Sequence, residues 1–305
     1  MIPIIFGESV IGASHLKHNK KKQDSYLIVN SISKDGISNK RGAPYKKCYE
    51  NLSDNIQIVA VSDGHGSDSC PYSDVGANTA VNVFCDIMAF YSDKYVDTID
   101  DFFHMLNREG ESARLAQEIV NEWGKRIVSV HKLNRREFPL GKDGEKDLGA
   151  VRKQYGATLL GLLLSDKYVF VFQLGDGDIY CVDEENVNPV VEGDKMLGVE
   201  THSISKRDSW KKVVSKVDTI NRKRPFMFIM STDGFMNSHA SEIEYQKTCK
   251  AYFDLINKDG RTVVEDNLSS WLSETSEKGC GDDITTVFIY YGTDEDSRIS
   301  NGDFE

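Results

Sequence analysis

Apolar residues reach this chain in two spacings. Near-continuous runs at 56–62, 156–164, 168–174, 178–183, 225–231 and 284–291 predict strands, each bounded by Gly, Asp or Ser. Helical spacing appears in SDVGANTAVNVFCDIMAFYSD at 73–93, whose Ser-Asp start suits a helix N-cap. It returns at 111–133, with Ala116, Ile119, Val120, Trp123, Ile127 and Val130 on one face, and near 241–257 and 262–276. Residues 1–30 read as two short strands around the polar loop HLKHNKKK, the first of them an edge strand.

The segments between these blocks are polar. Residues 31–55 are turn-rich and basic and read as a long hairpin connection, 134–154 as a mobile charged loop, and 184–224 as an irregular stretch. Asp176-Gly177 between two strand runs is a hairpin signal. Strand runs interleaved with helix pairs, without strict alternation, place the chain in the α+β class.

Five aspartates stand where a strand run meets a break. Asp24 opens QDSYLIV and Asp282 opens DDITTVFIYY; Asp63, Asp176 and Asp233 close IQIVAVSDGHG, YVFVFQLGDGD and FMFIMSTDGF. Strand ends hold a carboxylate firmly yet leave it facing solvent, and clustered oxygens are what hard divalent cations need. Two of the five stand at strand starts and three at strand ends. One rim can gather them all only if neighbouring strands run antiparallel.

Composition narrows the setting. The 305 residues carry 37 Lys and Arg against 48 Asp and Glu, a net charge of −11, which argues against broad nucleic-acid or anionic-membrane binding. Six scattered cysteines show no metal-type spacing and read as free thiols of a cytoplasmic protein. The N-terminus lacks the features of a signal peptide, and no apolar run spans a bilayer.

The order GASHLKHNKKKQDSY, VSDGHGS, YGATLLGLLL, QLGDGDIY, MSTDGF, GDDITTVFIYY resembles the metal-dependent Ser/Thr protein phosphatases of type 2C, or PPM family, in the bacterial branch that writes SH and QD upstream. The resemblance spans about residues 7–291. It implies a four-layer α-β-β-α sandwich, two mainly antiparallel sheets flanked by helix pairs. It further implies a single catalytic domain over 1–291 with a flap-like insertion at 184–224, while the acidic composition of 292–305 reads as a disordered tail.

The resemblance also implies a chemistry. Two Mn²⁺ or Mg²⁺ ions would be held by Asp63, the Gly64 carbonyl, Asp233 and Asp282, with Asp24 assisting and Asp176 on a weaker third-metal site. A hydroxide bridging the ions would attack the phosphorus of phosphoserine or phosphothreonine directly, and His65 would protonate the leaving alkoxide. Its partners would be phosphoproteins, a Ser/Thr kinase among them.

Each assignment has a plainer competitor. Asp-Gly is also a turn former, so Asp176 stands between ligand and hairpin residue, and His65 competes with a surface turn histidine. Relatives carry a phosphate-clamping arginine upstream; His15 and Lys22 are the stand-ins here, against a merely solvated basic loop. The basic run SKRDSWKKVVSKVDTINRKR either attracts phosphorylated substrates or is an ordinary exposed face, with Trp210 as its anchor. Asp283, where the family writes Asn, and Gln23, where it writes Glu, are departures. A phosphatase-like module that binds without turnover, and a two-metal phosphatase of small metabolites, are the alternative readings. The oligomeric state is unknown.

Overall fold

The computed structural model describes residues 2–30, 52–191, 202–221 and 223–292. Most of the expected hairpin connection at 31–55, Cys48 within it, part of the 184–224 segment and nearly all of the tail lie outside these residues. The chain forms two units. A central unit comprises 23–177 and 193–218; a terminal unit comprises 1–22, 178–192 and 219–305.

The central unit carries a five-stranded sheet of β2 (Ser25–Val29), β3 (Gln57–Ser62), β4 (Leu159–Leu164), β5 (Tyr168–Leu174) and β8 (Val214–Thr219), in that order. The β2–β3, β3–β4 and β4–β5 pairs are all antiparallel. Strands β3 and β4 are buried along their whole length, which is why they read as unbroken apolar runs rather than alternating ones. Helix α2 (Ser73–Lys94) lies on β2 and β3, and α4 (Glu111–Leu133) on α2.

Trp123 of α4 is fully buried and its indole N–H donates to the Gly76 carbonyl of α2 at 3.0 Å. Arg126 of α4 bonds Asp86 of α2 at 2.5 Å. Between them α3 (Ile99–Leu106) inserts Phe102, stacked on Tyr91 with ring centroids 5.1 Å apart. This helix escapes a sequence reading because eight residues give too few turns for a clear period.

The terminal unit carries a second five-stranded sheet, ordered β1 (Ile4–Val10), β10 (Ile284–Tyr291), β9 (Phe226–Ser231), β6 (Asp178–Asp183) and β7 (Val187–Pro189). All four of these pairings are antiparallel, and β1 takes the edge position its sequence suggests. Helices α7 (Glu242–Asp259) and α8 (Arg261–Lys278) pack on each other, α7 against β6 and α8 against β1. Phe235, Tyr245, Phe253 and Leu272 build this core. Ser241 caps α7 by accepting from the Glu244 N–H at 3.3 Å. The short α1 (Ala13–Lys17) and α6 (Asp233–Asn237) begin close to motif residues. The α+β class, with two antiparallel sheets each flanked by helices, is therefore the one the sequence implied.

Three local expectations change. Residues 134–154 end in α5 (Leu148–Lys153), capped by Asp147, whose Oδ1 accepts from the Ala150 N–H at 2.9 Å. The 184–224 stretch is not wholly irregular, since it supplies β7 and β8, and Trp210 packs on the central core. Asp176-Gly177 does not close a hairpin: β6 pairs with β9 and β7, not with β5. A two-residue type I′ turn needs positive φ at both positions; here Gly175 has φ of 110°, and neither Asp176 nor Gly177 is positive. Local turn chemistry cannot say which strand the emerging chain will bond.

Trp123 joins the two long central helices, so its removal opens a large void. Trp123→Ala is expected to lower unfolding stability by about 3–5 kcal/mol, read by urea denaturation. A loss below about 1 kcal/mol would show that this contact is peripheral to the core.

Candidate metal centre

Antiparallel register decides where the carboxylates fall. In the central unit Ser25 faces Ser62, Val61 faces Leu160 and Leu159 faces Leu174. Asp24 before β2, Asp63 after β3 and Asp176 after β5 therefore occupy the same end of one sheet. Asp63 and Asp176, both half-buried, offer carboxylate oxygens within 4.8 Å of each other. Like charges at this distance repel by nearly 1 kcal/mol even in water, and by more in a less polar medium. A cation relieves that repulsion, and an all-oxygen donor pair suits Mn²⁺ or Mg²⁺. Asp24 is 6 % exposed, deeper than an ordinary surface acid.

The backbone around Asp63 is fixed from β4. The Asp63 N–H donates to Thr158 Oγ1 at 2.9 Å, the Thr158 N–H returns a bond to the Asp63 carbonyl at 2.8 Å, and Ser62 Oγ donates to the Thr158 carbonyl at 2.6 Å. Gly64 follows in a gap no side chain could enter, since a Cβ there would lie 2.7 Å from the Gln23 carbonyl and 2.8 Å from that of Ser73. The His65 N–H donates to the Gly156 carbonyl at 3.1 Å. Its ring lies over Gly156, where a Cβ would approach His65 Cδ2 to 2.7 Å. The motifs VSDGHG and YGAT are thus two halves of one support.

In the terminal unit Ser231 faces both Thr286 and Asp178. Asp233, the first residue of α6, and Asp282, just before β10, accordingly share one end of that sheet. Asp233 Oδ2 accepts from Asn237 Nδ2 at 2.9 Å, one turn along α6. The adjacent Asp282 and Asp283 divide sharply: their side chains are 54 % and 2 % exposed. Asp283 Oδ1 accepts the Gly12 N–H at 2.6 Å and bonds His15 Nδ1 at 2.8 Å. A carboxylate oxygen accepts, so the hydrogen of this bond sits on Nδ1. His15 Nε2 stands 3.9 Å from Asp282 Oδ1.

Sequence reasoning did not find the roles of Thr158, Gly156 or Asp283. Only the Asp-Asp doublet at a strand entry hinted at the last, because successive side chains there point to opposite sides. The two upstream basic residues are also engaged. His15 is buried on Asp283, and Lys22 Nζ donates to the Ser9 carbonyl at 2.9 Å.

The family model for protein phosphatase 2C matches residues 46–273, more than half of the chain. The chain belongs to the protein phosphatase 2C family. Membership makes it a metal-dependent protein Ser/Thr phosphatase, an enzyme working with Mn²⁺ or Mg²⁺. Solved bacterial phosphatases share its fold. Stp1 of Staphylococcus aureus is 10 % identical with a TM-score of 0.58, covering 96 % of each chain. The catalytic domain of PstP, solved with two manganese ions, is 11 % identical with a TM-score of 0.54, over 96 % of this chain and 99 % of that one. The serine/threonine phosphatase of S. agalactiae is 12 % identical with a TM-score of 0.56, over 94 % of this chain and 99 % of that one. Comparison with curated protein sequences gives no match.

Thr158 is the hinge of the Asp63 support. Thr158→Val keeps the shape but removes the acceptor from the Asp63 N–H, and is expected to cost about 1–3 kcal/mol of stability in thermal unfolding. A change under about 0.5 kcal/mol would show that the Asp63 backbone does not rely on it.

Proposed function

We propose that Asp63, the Gly64 carbonyl, Asp233 and Asp282 hold the two divalent cations of this protein phosphatase 2C, with Asp24 auxiliary and Asp176 on a weaker third ion. Support comes from the strand-end placement of all five carboxylates and from the close approach of Asp63 and Asp176. When bound, the cations supply a nucleophilic hydroxide near neutral pH and neutralise phosphoryl charge.

The chain's own residues do the rest. Thr158 fixes the Asp63 backbone that carries the proposed bridging carboxylate. Asn237 orients Asp233. Asp283 and His15 together brace the turn that carries Asp282. His65, held over Gly156, gives its proton to the departing serine or threonine oxygen. In our reading His15 and Lys22 serve phosphate only by exchanging bonds they already make, to Asp283 and the Ser9 carbonyl. Substrates are phosphoproteins, a phosphorylated Ser/Thr kinase among them.

We read residues 1–291 as one catalytic domain, with 184–224 as its flap-like insertion. We place the enzyme in the cytoplasm, in keeping with the free thiols of Cys70, Cys85, Cys181, Cys249 and Cys280. Among the described residues no helix is long and apolar enough to cross a membrane.

The observation that carries the residue assignment is the gathering of Asp24, Asp63 and Asp176 at one end of the central sheet. Asp63→Asn and Asp233→Asn are each expected to lower phosphothreonine-peptide hydrolysis by at least about a hundredfold and to weaken Mn²⁺ uptake in calorimetry, with unfolding little changed. Full Mn²⁺ uptake and turnover in either variant would remove that residue from the ligand set. Gly156→Ala should push the His65 ring away and reduce kcat by about tenfold or more, with Mn²⁺ affinity held within about twofold. Loss of Mn²⁺ binding in this variant would instead show a collapse of the Asp63 loop.

A further inference from the structure

A cleft of about 780 Å³ opens in the central unit beside His65. Its cations are Lys153 at the end of α5, and Lys206 and Arg207 ahead of the short helix Ser209–Lys212. Ser67, Ser69, Ser203 and Ser205 line it too, and among the described residues no carboxylate does. In a chain of net charge −11, three cations and no acid among the described lining residues of one cleft is a local reversal of sign.

The reversal deepens behind the wall. Arg152 is 6 % exposed and its Nη2 donates to the carbonyls of Val120 and Ile204, both at 3.3 Å. Among the described residues no carboxylate pairs with it. Burial, with the like charge of Arg207, pushes its guanidinium down to about 10. Arg152 therefore adds positive charge behind the cleft, at the cost that burial of a cation without a counter-charge always carries.

The wall is also held in place. The Ile204 N–H donates to the Ala157 carbonyl at 2.9 Å, and Arg152 grips the Ile204 carbonyl. Ser203 Oγ lies 2.9 Å from Ser205 Oγ. A Cβ at Gly156 would stand 2.7 Å from the His65 ring and 3.1 Å from Ser203 Oγ, so imidazole and hydroxyl converge on one spot. Three cations beside a held pair of hydroxyls match a phosphate dianion better than a single carboxylate, which carries half the charge and fewer acceptors.

We propose that this cleft, through Lys153, Lys206, Arg207 and the Ser203 hydroxyl, binds a second phosphate on the substrate, so that the enzyme prefers multiply phosphorylated segments. The inference rests on the assignment of His65 to the reacting centre, since His65 lines the cleft and sets the second phosphate a few residues from the one removed.

The test compares a phosphothreonine peptide with versions carrying a second phosphoserine, or a glutamate, at one to five residues on either side. At least one doubly phosphorylated peptide should exceed the single one by roughly tenfold in kcat/KM, the glutamate version by much less. In K206A/R207A that ratio should fall close to one, while kcat/KM on the singly phosphorylated peptide and on a small phosphomonoester is unchanged. A ratio near one in the wild type, or an equal ratio in the variant, overturns the proposal. If neither peptide is hydrolysed, the catalytic assignment has failed, and calorimetry on the metal-free protein still decides the cleft. Tighter binding of the doubly phosphorylated peptide, lost in K206A/R207A, supports it, and equal binding of the two peptides overturns it.

Discussion

Antiparallel pairing is the constraint on which the rest of this molecule depends. A carboxylate before one strand and another after its neighbour share a sheet end only if the two strands run in opposite directions and in the right register. The pairings Ser25 with Ser62 and Leu159 with Leu174 do this for Asp24, Asp63 and Asp176; Ser231 with Thr286 does it for Asp233 and Asp282. A slip of one residue in either sheet would turn every side chain to the other face and bury the wrong set. Strands β3, β4, β9 and β10 are buried along their whole length, so close packing of their side chains holds them in register. Core packing thus determines the site geometry, although no core residue belongs to the site.

Much of this was legible from the chain before any coordinates. The mixed placement of five aspartates at strand starts and ends demands antiparallel sheets, and both sheets are antiparallel in every pairing described above. The helix at 111–133 could be read because Ile119, Trp123, Ile127 and Val130 repeat at helical spacing within a long element, enough to fix its ends. What stayed hidden shares a cause. The path out of β5 depends on which strand β6 will bond, a long-range choice that Asp176-Gly177 does not encode. The support of Asp63 by Thr158, 95 positions away, is equally non-local. So is the pairing of His15 with Asp283, 268 positions away. Short elements are set by other means than periodicity: α5 by its Asp147 cap, and α1, which has no side-chain cap, by tertiary contacts such as His15 with Asp283.

His15 shows how a basic motif can change meaning on folding. Taken alone, a His-Lys-rich loop suggests a hand for phosphate. Buried on Asp283, the same imidazole becomes a brace that keeps Asp282 outward while its neighbour turns in. A charged acceptor is matched by a ring that can donate to it, as a buried acid requires. The positive charge proposed for a second phosphate of the substrate lies elsewhere in the chain.

The central unit places it at Lys153, Lys206 and Arg207, with Arg152 behind them. Two opposite electrostatic demands then meet on one unit. Carboxylates at the sheet end attract cations, and a cleft beside His65 attracts anions, with Gly156 and the DGHG turn between them. The backbone under each field is fixed: Thr158 holds Asp63 on one side, and Arg152 with Ala157 holds Ile204 on the other. Holding like charges together at each place costs energy, which a bound cation or a bound phosphate would offset. The small residues of the motifs are therefore as much electrostatic as steric, since close backbone approach at Gly64 and Gly156 is what keeps the two fields near each other yet distinct.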